Sequence, residues 1–399
     1  MPTCLGLYVE QNVIKYAKVS KERDNIKVEA FGVKFYENIA KTIEQIVSET
    51  YSYKTPISVN LSEEMYNYFF LFNMLNKNDL QKAVATEFES HCYDSGINEK
   101  AYETRYAVTN SKEDKEKLKV IHVSANKTDI NKRIQQLEGN RLSCICPTAI
   151  SISNLLELRG KQNAVIVNME ETTTITTIIE DSVYDITRLE TGAGEILRNI
   201  NAKENSYSKA YEICKNTTIY TTEGKELVED TNEYLEDIMP TLYNIVSEVQ
   251  KSLNLSVAKI ENVYITGTAC VINNIDLYFQ EYFPDIKCEI LKPYFIKPTI
   301  GGINIKDYIE VNSAIAIAMQ GLGYGIKNMN FKKAGITDNL FNIDIGKKGG
   351  NKESKFDFSF DLSGKLDATE KYLLRTCRRT LINYTHLCSF FRSFDKADD

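Results

Sequence analysis

One pattern occurs twice in this chain and limits its fold more than any other feature. Residues 4–9 are mostly apolar, Glu10, Gln11 and Asn12 are polar, residues 13–19 alternate in character, and 25–34 form a third extended run. The same layout returns later. Residues 164–168 form a buried-type run, Met169, Glu170 and Glu171 make a turn, and 172–179 and 183–189 follow as strands rich in β-branched residues. Strand, acidic turn, strand, turn, strand, repeated in one chain, predicts an internally duplicated α/β protein with a cleft between its halves.

The rest of the pattern fills in around these triplets. Helical spacing marks 39–51, 78–92, 128–137, 147–158, 194–201, 206–216, 232–255, 275–282 and 311–321, and further strands are expected at 56–61, 101–109, 120–124 and 262–267. The region 64–140, with its aromatic run Tyr66, Tyr68, Phe69, Phe70 and Phe72, has the make-up of a small inserted α/β subdomain. The expected organisation is a first domain over 1–160 carrying that insertion, and a second over 161–312. A helix over 313–330 returns to the first domain, a linker spans 331–365, and a basic tail spans 366–399.

Composition narrows the function classes. With 43% hydrophobic residues, 399 positions bury substantial cores. A net charge of -7 argues against a general nucleic-acid binder, which needs a basic surface to displace counterions. No run of 18 to 20 apolar residues is present, and the first residues lack the pattern of a signal peptide. The nine cysteines are scattered, Cys144 and Cys146 are the one close pair, and His91, His122 and His386 lie far apart. Neither a metal nor a disulfide framework is expected from that spacing.

In order along the chain, several runs resemble the PilM-like type IV pilus assembly proteins, a branch of the actin-like ATPase fold. The run from Gly6 through Leu7, Tyr8, Val9, Glu10, Gln11, Asn12 and Val13 to Ile14 and Lys15 is similar to that family's first phosphate hairpin. Residues 165–179 look like the second, Thr191, Gly192, Ala193 and Gly194 like the turn that follows it, and Gly267 and Thr268 like its adenosine motif. The segments 147–158 and 314–323 resemble its two connecting helices. The resemblance runs over roughly residues 4–330. It implies two duplicated α/β domains flanking a cleft, with a small inserted subdomain and a C-terminal tail.

The nucleotide positions depart from the family's pattern. Tyr8 stands at the first hairpin aspartate and Glu10 at its glycine, while Asn168 and Glu170 hold the matching places in the second hairpin. A carboxylate facing a triphosphate adds like-charge repulsion, and its bulk fills the space a glycine leaves. The degenerate cleft therefore comprises Tyr8, Glu10, Gln11, Asn12, Lys15, Asn168, Glu170, Thr172, Gly267 and Thr268. Tyr8 is read as a core tyrosine, and Glu10 and Glu170 as solvated acids at the cleft edge. The expectation is a pseudo-ATPase that does not hydrolyse ATP, with no metal, and with ATP and Mg²⁺ as cofactors only if the altered cleft still binds.

By resemblance, such a protein is a cytoplasmic scaffold at the inner face of the cytoplasmic membrane. It would recruit the N-terminal peptide of a PilN-type inner-membrane protein into a groove of the inserted subdomain. Tyr66, Phe69, Phe70 and Phe72 are the candidate anchors. In the tail, Arg375, Arg378, Arg379 and Phe391 sit on a basic amphipathic pattern suited to a membrane surface, to a partner or to its own domain. Two alternatives stand beside the scaffold. One is a membrane-associated division adaptor resembling FtsA; the other is a sugar or metabolite kinase, which needs the hairpin aspartates this chain lacks.

Overall fold

The two triplets fold as the alternation predicts. The first gives β1 (Thr3–Val9), β2 (Val13–Glu22) and β3 (Asn25–Phe35), an antiparallel meander. The second gives β9 (Ala164–Met169), β10 (Thr173–Ile179) and β11 (Ser182–Leu189) in the same arrangement. The computed structural model describes residues 1–23, 25–73, 75–157, 162–220, 233–296 and 308–332, all within one unit that ends at Gly335. Almost all of the expected linker, and the whole tail with Arg375, Arg378, Arg379 and Phe391, lie outside the described residues.

Each meander is extended by two parallel strands on its other side. In the first half these are β4 (Ile57–Asn60) and β8 (Leu142–Cys146), giving the order β3-β2-β1-β4-β8. In the second half they are β12 (Asn262–Thr266) and β13 (Lys287–Ile290), giving β11-β10-β9-β12-β13. The two sheets have the same topology, so the duplication expected from the sequence is present in strand order as well as in pattern.

Between β4 and β8 the chain makes a separate three-stranded layer, ordered β5-β7-β6. Its strands are β5 (Met65–Phe72), β6 (Tyr102–Asn110) and β7 (Lys117–Asn126). Helix α2 (Lys77–Asp94) follows β5 and buries Val84, Phe88 and Cys92 against Phe69, Leu71 and Val120. Helices α1 (Ile39–Glu49) and α3 (Lys127–Gln136) complete the first half. Asn38 and Asn126 each cap their helix, accepting from Lys41 N and Thr128 N.

A short helix, α4 (Thr148–Ser151), continues as a 3-10 turn to Leu155. The second half carries α5 (Ala193–Glu204), α6 (Tyr207–Asn216), α7 (Leu235–Asn254) and α8 (Ile275–Tyr282) around its own core. Helix α9 (Asn312–Gly321) is apolar all round because it is buried all round, from Asn312 through Met319. It lies with the 3-10 turn Ile152–Leu155 in a core shared by both sheets, beside Cys4 and Ala17 on one side and Ile166 and Ile178 on the other. Gly6 permits that approach, since a Cβ there would fall 2.0 Å from the Ala314 carbonyl oxygen.

The start of the expected linker is in fact packed. Phe331 is fully buried, and its N–H donates to the Ile145 carbonyl at 2.7 Å, beside the β8 edge.

Candidate functional site

The duplicated topology sets the tips of the two hairpins, 10–12 and 170–172, against each other. In β1 and β2, Tyr8 and Lys15 are directly cross-strand partners. The end of β1 is fixed by Asn60, whose Oδ1 accepts from Val9 N at 2.8 Å, and by Arg133, whose Nη2 donates to Val9 O at 2.8 Å. Such anchoring aims the Lys15 ammonium across the cleft.

There it meets Glu170. The two form an ion pair with side chains 0% and 1% exposed. Glu170 Oε2 also accepts from Thr268 N at 3.0 Å and from the Thr268 hydroxyl at 2.7 Å, while Oε1 accepts from the Ser313 hydroxyl at 2.6 Å. Lys15 donates in addition to Thr268 Oγ1. Two carboxylate oxygens offer about four lone-pair positions, and four donors reach them here. Burying a carboxylate and an ammonium is expensive unless both are paired and hydrogen-bonded, which this geometry achieves.

The reading of Glu170 as a solvated cleft-edge acid is therefore corrected. The sequence shows only an acid at a glycine position, and the cation that neutralises it lies 155 residues away. Gly267 makes room for the contact: it sits at φ +99°, and a Cβ there would lie 2.5 Å from the Met169 carbonyl oxygen. Asn168 is buried beside the cluster, its Nδ2 donating to Ser313 Oγ at 3.3 Å. Sequence reasoning missed Ser313. It is a small polar residue opening an apolar helix, where a hydroxyl needs a partner, and that was the available signal.

Glu10 lies next to this cluster and is not a free surface acid either. It is half-buried, and its Oε1 accepts from Glu171 N at 2.5 Å, a second link across the cleft. Burial, aided by the Glu170 charge, pushes the Glu10 carboxyl up to about 8. Burial likewise raises the Tyr8 hydroxyl, with Glu10 and Glu170 adding to the effect. Tyr8 is buried in the shared core, with the Lys15 ammonium 5.8 Å from its ring centre. Asn12 takes a left-handed turn position at φ 69°, Gln11 is exposed, and Thr172 closes the second turn by accepting from Glu170 N at 3.1 Å.

The void left at the cleft mouth, lined by Glu10, Asn12, Glu171, Arg198 and Thr268 among others, is about 10 Å³. That is room for about one water. Glu170 is engaged with Lys15, Thr268 and Ser313, and Glu10 with the Glu171 N–H.

A second and much larger concavity, about 870 Å³, runs along β6. Arg105, Val108, Asn154, Asp181, Tyr324 and Asn328 are among its lining residues. Strand β6 is an edge of the small sheet. The aromatic anchors expected from the sequence do not line it. Phe69 is in the small core against α2, and Tyr66 packs on the first domain with its hydroxyl donating to Glu64. Phe70 and Phe72 are 43% and 65% exposed, on the opposite edge strand β5.

No family model and no curated protein matches this sequence. Its fold does match solved structures. A PilM–PilN type IV pilus biogenesis complex aligns with a TM-score of 0.65 at 15% identity, over 80% of this chain and 98% of that one. More distant is the ethanolamine utilization protein EutJ from Carboxydothermus hydrogenoformans, with a TM-score of 0.43 at 10% identity over 80% and 90% of the two chains. The cytoplasmic domain of EpsL, an inner-membrane component of the Vibrio cholerae type II secretion system, gives 0.39 at 9% identity over 82% and 97%. With its two sheets of identical strand order, its helix packed between them and its inserted small sheet, the chain has the actin-like ATPase fold.

Proposed function

We propose that this chain is a nucleotide-independent scaffold of type IV pilus or related secretion machinery, holding the cytoplasmic tail of a PilN-type inner-membrane protein. The observation that carries this reading is the Lys15–Glu170 pair. In an actin-like fold, the facing hairpins hold phosphate and metal charge. Here an internal carboxylate and an internal ammonium occupy that space, with the Thr268 N–H donating to the carboxylate as it would to a phosphate. The two halves are then joined without a ligand, which suits a protein whose work is binding and not turnover.

Likeness in fold to the chain of a PilM–PilN complex supports the choice of partner. The β6 groove supplies a place for it, because an edge strand beside a concavity accepts an extended peptide through main-chain hydrogen bonds. No helix among the described residues is long and apolar enough to cross a membrane, so such a partner would provide the attachment to the inner face. The test is fluorescence anisotropy with the labelled cytoplasmic N-terminal peptide of the PilN-type protein encoded in the same genome. Saturable binding without nucleotide, lost on Val108→Arg in the groove, is the expected result. Absence of binding, or binding only with MgATP, contradicts the reading.

A further inference from the structure

Strand β11 forms one edge of the second sheet, yet that edge is covered by the inserted small sheet of the first half. Val183 and Ile186 are buried in one cluster with Ile121 and Val123 of β7. The Tyr68 hydroxyl of β5 donates to the Ile186 carbonyl at 2.8 Å and accepts from the Ile186 N–H at 2.6 Å, so it satisfies both main-chain groups of an edge residue. The Lys112 N–H donates to the Tyr184 hydroxyl at 3.3 Å, and its ammonium pairs with Glu180 at 2.5 Å. Lys119, on the middle strand of the small sheet, stands at this contact. It is buried, with its ammonium 4.0 Å from the centre of the Tyr184 ring, 4.7 Å from that of Tyr68 and 3.3 Å from Asp185 Oδ1.

A buried ammonium is a poor device for stability alone. It carries a desolvation cost that an apolar side chain of the same length does not, and Asp185, itself 41% exposed, offsets only part of it. The two rings supply the rest, and only while β11 stays in place. Once β11 moves away the ammonium returns to water and the whole contact is lost together, which is how a two-state junction behaves. Its place in the register links it to the groove. Thr109, the cross-strand partner of Lys119, lines one wall, and Val183, the neighbour of Tyr184, lines the other. We propose that this junction is a lock: Lys119 pins β11, and with it the second half, to the inserted sheet, and its release parts the two walls of the groove. A ligand that touches both walls then favours the locked state, and the locked state favours the ligand by the same factor. The coupling to a bound peptide rests on the function proposed above; the lock itself does not.

The experiment is hydrogen exchange on the full chain, read by mass spectrometry with and without the PilN-type peptide. Lys119→Met, of similar length and uncharged, speeds exchange in β11 at least about tenfold, while β9, β10 and the melting temperature keep their parental values. Tyr68→Phe, which removes both bonds to Ile186, has the same local effect. Lys119→Arg keeps a cation against the rings and retains parental exchange. Peptide affinity falls about tenfold in Lys119→Met. Unchanged exchange in β11 of both Lys119→Met and Tyr68→Phe overturns the lock. So does a rise spread evenly over both sheets with a lowered melting temperature, which marks general destabilisation. Parental peptide affinity in a variant whose β11 has been released overturns the coupling. A parent that binds no peptide defeats the function proposed above, and exchange without peptide still decides the lock.

Discussion

The Ser313 hydroxyl donates to Glu170 Oε1 at 2.6 Å. This bond ties the buried helix α9, which packs against β1 and β2 of the first half, to the hairpin of the second. With Lys15 from the first hairpin and Thr268 from the loop after β12, it converts the cleft of an actin-like fold into part of the interior. The energetics of that conversion can be tested one group at a time.

Lys15→Met leaves the Glu170 carboxylate buried without a cation. Removing one partner of a buried pair costs about 3–5 kcal/mol, whereas replacing both with apolar residues is often neutral or better. Urea denaturation should show the single variant strongly destabilised, and Lys15→Met with Glu170→Leu restored most of the way. A single variant within about 1 kcal/mol of the parent would mean that the pair is solvated.

The raised carboxyl of Glu10 has a consequence for pH. Unfolded, it titrates near 4.5; folded, near 8. Between those values the folded state holds the extra proton, so stability falls as pH rises through this window, by up to about 1.4 kcal/mol per pH unit. Glu10→Gln should flatten the profile between pH 5 and pH 8 in urea midpoints. An unchanged slope would assign the effect elsewhere.

His122 should act in the opposite direction. It is buried between Phe69 and Phe88, its Nδ1 has no hydrogen-bond partner, and burial, with a smaller contribution from His91, lowers it to about 4. Between 4 and the ordinary 6.5 the unfolded state binds the extra proton, so stability is lost as pH falls through that range. His122→Phe should remove this acid sensitivity from the small sheet, as hydrogen exchange across β7 would report. Equal acid-induced opening in parent and variant would refute it.

Gly6→Ala tests the seat of α9. The added methyl meets the Ala314 carbonyl at 2.0 Å, in backbone that cannot move aside without shifting the helix. Overpacking of this kind costs about 1–3 kcal/mol, readable as a lowered thermal midpoint. A neutral substitution would show that α9 is loosely held.

Much of the fold was legible from period and punctuation. Both triplets, the long helices and the inserted subdomain stand where alternation and helical spacing place them. Strands β5, β8 and β13 were not foreseen: β5 reads as an aromatic run without apolar–polar alternation, and β8 and β13, though bounded by Gly139, Asn140 and Pro147 and by Pro284, Asp285 and Pro293, are only five and four residues long. The helix expected over 147–158 becomes one α turn and a 3-10 turn, because its Ile and Leu positions serve a fully buried connector and not an amphipathic face. At the site, the identities of Lys15, Glu170 and Thr268 were legible and their mutual contact was not. A residue string shows the loss of a glycine, whereas the compensating charge lies on the facing hairpin and enters only through the sheet register. The aromatic run was visible too, but which rings face the core depends on which side of β5 receives α2.

Calorimetric titration of MgATP into the full chain tests the central claim most directly. The internal Lys15–Glu170 pair predicts no saturable heat at any ATP concentration reached. Stoichiometric binding that requires Mg²⁺ would contradict it, since the hairpins would then have to open and release Glu170 to receive the phosphates.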